Sequence, residues 1–271
     1  MKKLINLAEE ISADCTNGSS VLARRFMERL VEGNFTPDEY ENSVRMILEA
    51  HPDMAILKHS ARVLQKVPFD RLPSAAQEFL KSLERAPEKI AEHLINILPQ
   101  NAQVMTYSRS GTVHTSLLLA HKSGKLGGVV LSEGRPDFEG KKFAEELALA
   151  DIETTLTTDC ALSTLIEFVD VVLVGADAVT PEFIINKVGT LQVALAANYA
   201  DKPIYSLAST HKFASTASPN KTYPSSKIWE NPPEGIRIAS PLFEKIPLAL
   251  FNAVICERGQ AGLREIEMIV E

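Results

Sequence analysis

The stretch VVLVGADAVTPEFIINKVGT, Val171 to Thr190, decides the fold. Val171 to Val174 is an unbroken apolar run, the pattern of a strand buried on both faces of a parallel sheet. The run ends at Gly175, and just past it the chain presents a single carboxylate, Asp177. A loop then leads to Asn186, Lys187, Val188, Gly189 and Thr190, and the helical run LQVALAANYA follows. Free backbone N–H groups and the positive end of the helix dipole meet at such a junction, which suits an anion. Open α/β sheets hold their ligands at this carboxyl edge. On residue type alone the alternative stands beside it: Asp177 as a turn cap and Lys187 as a solvated side chain.

Outward from this stretch the pattern is alternation. The apolar runs QVMTY, GGVVLSE, TTLTT, VVLVGAD, PIYSLAS and IRIAS are separated by helical segments such as TVHTSLLLAHKSG, KKFAEELALAD and ALSTLIEFV. That predicts a Rossmann-like parallel sheet flanked by helices. The residues before Ala102 read as helices. Leu22, Phe26 and Leu30 share one face, as do Leu57, Ala61 and Leu64. Thr36-Pro37-Asp38-Glu39 is a helix start with the spacing of a capping box. Pro52 begins another helix, and a long one runs from about Ser74 to Leu98, interrupted near Pro87. The fold class is therefore α/β, with an amino-terminal helical domain over residues 1–100 and a Rossmann-like parallel-sheet domain over 101–271. The boundary falls at Pro99-Gln100-Asn101. Ser215 to Pro233, rich in Ser, Pro, Asn and Lys and holding Trp229, is longer than a common connection and reads as a functional or mobile loop.

Composition narrows the function. The net charge of −7 and the pI near 5.5 exclude a nucleic-acid surface of the usual basic kind. No run of roughly 18 apolar residues occurs, so no membrane span is expected. The start MKKLINLAEEISAD lacks the apolar core of a secretory signal. Cys15, Cys160 and Cys256 are far apart and odd in number, which fits a reducing cytoplasm. The six histidines show no ligand spacing, so no metal is expected. Neither the dinucleotide fingerprint nor the Walker loop is present, and no cofactor is expected.

The other strand ends deliver polar residues to the same edge. QVMT is followed by Tyr107-Ser108-Arg109-Ser110-Gly111-Thr112, a second anion-type loop opening a helix. VVL leads to Ser132-Glu133-Gly134-Arg135-Pro136, where Arg135 either holds an anion or pairs with Glu133 or Asp159. Beyond TTLTT lie Asp159 and Cys160; beyond PIYSLAS lie His211 and Lys212. Several strands bringing polar groups to one edge describe a ligand crevice.

These segments carry a resemblance that covers nearly the whole chain. MTYSRSGTV at Met105, SEGRPDFEGKKFAEEL at Ser132, TTDCALSTLIEFVDVVLVGAD at Thr157, INKVGT at Ile185 and SPLFEKIPLALFNAVICERG at Ser240 resemble the initiation factor 2B alpha/beta/delta family. That family includes regulatory subunits of eukaryotic initiation factor 2B, methylthioribose-1-phosphate isomerase and archaeal ribose-1,5-bisphosphate isomerase. The resemblance implies a dimer built through the carboxyl-terminal domain. Ile246 to Glu257 suits that by carrying more apolar residues than one side of a surface helix needs. In the isomerases the resemblance implies a cysteine acid/base partnered by the aspartate of the GAD motif. The aspartate is kept as Asp177, and the cysteine position falls on Ser108. The isomerases' Arg-Gly-Ala phosphate loop matches Asn17-Gly18-Ser19, and an arginine before a proline matches His51-Pro52. Asn17, Gly18, Ser110, Gly111, Thr112, Arg135, Asn186, Lys187 and Lys212 are the candidate ligand contacts, with Asp177 and Ser108 catalytic only if the protein is an enzyme. Two readings stay open: a non-catalytic regulatory protein that binds a sugar phosphate or nucleotide, and an isomerase with altered chemistry. Both are cytoplasmic homodimers, alone or with related subunits, with no direct nucleic-acid partner.

Overall fold

The computed structural model describes residues 3–14, 17–52 and 54–270; Cys15 lies outside them. Five helices come first: α1 (Leu4–Ala13), α2 (Ser19–Val31), α3 (Pro37–Ala50), α4 (Ala55–Gln65) and α5 (Leu72–Ile97). The capping box starts α3 as its spacing requires. Thr36 Oγ1 accepts from the Glu39 amide at 3.2 Å, and the Glu39 carboxylate accepts from the Thr36 amide at 3.0 Å. Leu22, Phe26, Leu30, Leu57, Ala61 and Leu64 are buried together in one helical core. Pro52 lies in a turn, and α4 begins later, at Ala55. Helix α5 runs unbroken through Pro87. Leu83, Ala86 and Ile90 are buried on either side of the proline, and this packing holds the helix across one lost hydrogen bond. The end of α5 reaches into the next layer, where Ile90, Leu94 and Leu98 join a core with Ala102, Val113, Leu117 and Phe143.

The second half holds β1 (Ala102–Tyr107), α6 (Gly111–Lys122), β2 (Leu126–Ser132), α7 (Glu139–Ala148), β3 (Thr154–Thr157), a 3-10 helix (Asp159–Phe168) and β4 (Val171–Val174). There follow β5 (Ala178–Val179), β6 (Phe183–Lys187), α8 (Thr190–Tyr199), β7 (Ile204–Leu207), β8 (Phe243–Pro247), β9 (Ala253–Cys256), β10 (Gly259–Ala261) and α9 (Leu263–Val270). Seven strands form one sheet in the order β10-β9-β7-β4-β1-β2-β3, parallel throughout except for β10. All four residues of β4 are buried, as a strand covered on both faces requires. The order reverses between β1 and β4: β2 and β3 lie to one side, β7 and β9 to the other. Tyr107 and Val174 are in register at this switch, the point where an open α/β sheet leaves a crevice beyond its carboxyl edge.

Three further expectations change. Asn186 and Lys187 belong to β6, a strand of a small antiparallel sheet ordered β5-β6-β8, and are not in a loop. Their partners are Glu244 and Phe243, far along the chain, so local pattern did not reveal the pairing. Ile236 to Ser240 forms no strand and is mostly exposed; the main sheet is completed by β9 and β10. In the segment from Ile246 to Glu257, whose apolar residues were expected to serve a dimer, Ile246, Val254, Ile255 and Cys256 are buried within the chain itself, around a short 3-10 turn at Leu248–Leu250.

Candidate functional site

A cleft of about 530 Å³ opens beyond the carboxyl ends of β1 and β4, against the start of α2. Its wall unites residues from across the sequence. Asn17 and Gly18 come from the approach to α2, Ser108 from the end of β1, and Ser110, Gly111 and Thr112 from the start of α6. Asp177 follows β4, Asn186 and Lys187 end β6, and Lys212 sits in the short 3-10 turn Thr210–Lys212 after β7. Ten of the eleven candidate residues therefore line one cleft. Arg135 does not line it. Its guanidinium lies over the Phe138 ring, 5.0 Å from the centroid. Its backbone N–H donates to Asp159, which also accepts from the Ser132 hydroxyl and the Gly134 amide.

Asp177 ties the two halves together. Ser19 Oγ, at the first position of α2, donates to Asp177 Oδ1 at 2.9 Å, and the Asp177 amide donates to the Ile185 carbonyl at 2.8 Å. Asn17 is bound locally, its side-chain amide donating to Asp14 at 2.7 Å. Lys212 is buried and donates to the Ala176 carbonyl. Burial pushes its amine well below the usual lysine range, and the Asp177 charge pulls it part of the way back.

Ser108 has a left-handed backbone, φ 61°, and its hydroxyl donates to Glu139 Oε1 at 3.1 Å. The same carboxylate oxygen takes the Lys187 ammonium. Lys187 is almost fully buried and also lies 5.3 Å from the centroid of the Tyr223 ring. Tyr107 donates from its hydroxyl to the Val188 carbonyl at 2.6 Å. Burial and the carboxylates around them hold the Tyr107 and Tyr223 phenols neutral far into the alkaline range.

The two helix starts differ. In α6, Ser110 caps the helix by accepting from the Val113 amide at 3.4 Å, and Gly111 and Thr112 line the cleft at first-turn positions that lack an intrahelical acceptor. In α8 the cradle is already filled: Glu244 Oε1 accepts from the Gly189 amide at 2.7 Å and the Leu191 amide at 2.8 Å. The expected anion site at the start of α8 is thus occupied by the protein's own carboxylate.

Other candidates lie elsewhere. His51 is buried between the Ile11 carbonyl and Lys221 Nζ. His114 packs edge-on against Phe143. Cys160 is exposed beside Thr158 and does not line the cleft. His211 is buried in the joint with the helical half, bound to Ser82 and stacked edge-on to Phe79. Sequence reading missed Glu139, Lys142, Tyr223 and Arg24, all of which line the cleft. Glu139 and Lys142 were in plain view in the GRPDFEGKK segment, where the arginine drew the reading instead.

This architecture and cleft define a class. The sequence pattern of the initiation factor 2 subunit family (IF-2B) matches residues 23–262, and the chain belongs to that family. A protein of Pyrococcus furiosus named as an eIF-2B subunit 2-like translation initiation factor is 29% identical over 269 residues, covering 95% of this chain and 96% of that one. The ribose 1,5-bisphosphate isomerase of Archaeoglobus fulgidus is 28% identical over 285 residues, covering 96% and 90%. The crystal structure of translation initiation factor eIF-2B from Pyrococcus horikoshii superposes with a TM-score of 0.83 at 26% identity, covering 95% and 96%. The 5-methylthioribose 1-phosphate isomerase of the same organism shares the fold, with a TM-score of 0.77 at 18% identity over 98% of this chain and 87% of that one. Among the described residues no helix is long and apolar enough to cross a membrane.

Proposed function

We propose that this chain is an initiation factor 2B-like regulatory protein whose cleft holds a phosphorylated small molecule, a sugar phosphate or a nucleotide, without turning it over. One observation carries the reading. Among the described residues the cleft is lined by no thiol and no histidine, and the position that matches the isomerases' cysteine is the hydroxyl of Ser108. Moving a proton between adjacent carbons needs a group that gives and takes protons near neutral pH. Ser108 has only Glu139 beside it, and Glu139 is already engaged by Lys187. Ribose 1,5-bisphosphate and methylthioribose 1-phosphate should therefore not be turned over by the wild type. Robust turnover that disappears in Asp177→Asn would overturn this reading.

Lys212 favours the second reading, an isomerase with altered chemistry. Lys212 is buried beside Asp177, with its amine lowered by burial and partly restored by the Asp177 charge, and such a group lining a cleft is a candidate for acid/base work. Turnover lost in both Lys212→Met and Asp177→Asn would establish it.

In either reading the protein works in the cytoplasm as a homodimer, alone or with related subunits. Support comes from Phe168 and Tyr199, exposed by 73% and 91%, on the 3-10 helix Asp159–Phe168 and on α8, which pack together. Light scattering at micromolar concentration should give twice the 29.7 kDa chain mass; a monomer would count against it.

A further inference from the structure

The charges around the cleft are unevenly matched. The inner wall holds two cations, Lys187 and Lys212, and two carboxylates, Glu139 and Asp177. Lys187 is paired with Glu139, and Lys212 lies beside Asp177. Glu139 Oε1 receives both Lys187 and Ser108, while its Oε2 is enclosed without a hydrogen-bond partner. Gly134 leaves the room for this carboxylate: a Cβ there would fall 2.9 Å from Glu139 Cδ. So Glu139 Oε1 occupies the point where a buried ammonium and a hydroxyl would otherwise converge on an anion.

The mouth differs. Gly18 and Gly111, at the starts of α2 and α6, are exposed there, while Ser19 is buried against Asp177. Lys142 lines the cleft as well, exposed and in no direct ion pair among the described residues, with its charge felt by Glu146. The other charges at the mouth are matched: Arg109 with Glu146 at 2.8 Å, Arg24 with Glu84 at 3.1 Å, and Asp137 with Lys227 at 2.9 Å. The inner-wall cation that meets a carboxylate directly is thus Lys187, while Lys142 at the mouth makes no ion pair among the described residues.

We infer that Glu139 sets the ligand class of this cleft: it selects compounds with one phosphate, held at the mouth, and a hydroxyl-bearing carbon skeleton against the inner wall, and it discriminates against bisphosphates. The inference rests on the ligand reading above and adds to it. A second phosphate driven onto the inner wall would have to displace Glu139 from Lys187 or lie against its charge, and like charges in a partly desolvated site repel strongly. A sugar hydroxyl meets no such opposition, since carboxylates and Ser108 Oγ all accept hydrogen bonds. Glu139 is here a specificity-determining residue with no part in bond making.

The test is calorimetric titration of the full chain with inorganic phosphate, ribose 5-phosphate and ribose 1,5-bisphosphate, for the wild type and for Glu139→Gln. The wild type should bind the bisphosphate more weakly than ribose 5-phosphate. Glu139→Gln, which frees Lys187, should tighten the bisphosphate by about tenfold and change ribose 5-phosphate by less than about threefold. Thermal melting checks that the variant is folded; the wild-type ratio stands as a test without it. A wild type that binds the bisphosphate as tightly as ribose 5-phosphate or more tightly, or a ratio unchanged in a folded Glu139→Gln, overturns the inference while leaving the ligand reading in place. No binding of any of the three compounds overturns both.

Discussion

Helices α6 and α8 begin alike in sequence, Ser110-Gly111-Thr112 in one and Gly189-Thr190 in the other. Either reads as a place for an anion. In the fold only α6 is left open. At α8 the carboxylate of Glu244, on the neighbouring strand β8, takes the Gly189 and Leu191 amides. At α6 the cap is the local Ser110 hydroxyl, and the first turn faces the cleft. A helix start has orphan N–H groups wherever it occurs. Whether it receives a ligand depends on whether the rest of the chain has already supplied the anion.

Substitutions at the two starts should separate them. The largest effect is expected for Gly189→Ala. Gly189 has φ 106°, outside the range of an alanine, and a Cβ would run into the Tyr107 hydroxyl. Urea unfolding should show a loss of about 3 kcal/mol; a loss under ~1 kcal/mol would mean the start of α8 is less constrained than described. Next comes Glu244→Ala, which strips two amides of their acceptor and should lower stability by about 2 kcal/mol. Added phosphate that restores this loss would show the vacated start acting as an anion site. Smaller still is Lys142→Ala at the mouth. It should weaken ribose 5-phosphate by about threefold to tenfold and leave the melting temperature in place, because an exposed unpaired lysine adds little to folding. Smallest is Gly111→Ala. A Cβ there meets nothing within 4 Å and the backbone needs no positive φ, so stability should move by no more than ~0.5 kcal/mol.

Much of this fold was legible because its signals are local. The apolar run Val171–Val174 needs only its own four residues to announce a doubly covered strand, and the Thr36–Glu39 box needs only its spacing. The alternation after Ala102 is likewise a property of short windows. The parts that were not legible depend on distant partners. Asn186 and Lys187 look like loop residues until Glu244 and Phe243 pair with them. The occupied state of the α8 cradle follows from that same pairing, since it brings Glu244 to Gly189. Glu139 escaped for a related reason. An acid at the start of α7 is ordinary by itself, and its meaning comes from Lys187, which lies 48 positions away in sequence. Arg135 misled in the opposite direction, because its neighbourhood in sequence is cleft-like while its side chain rests on Phe138.

The most direct test of an open α6 and a closed α8 is a two-dimensional amide NMR titration of the wild type with ribose 5-phosphate. The account predicts saturable shifts at the Gly111 and Thr112 amides, with Gly189 and Leu191 unmoved. Shifts centred on Gly189 and Leu191, or no saturable shift at Gly111 and Thr112, would contradict it.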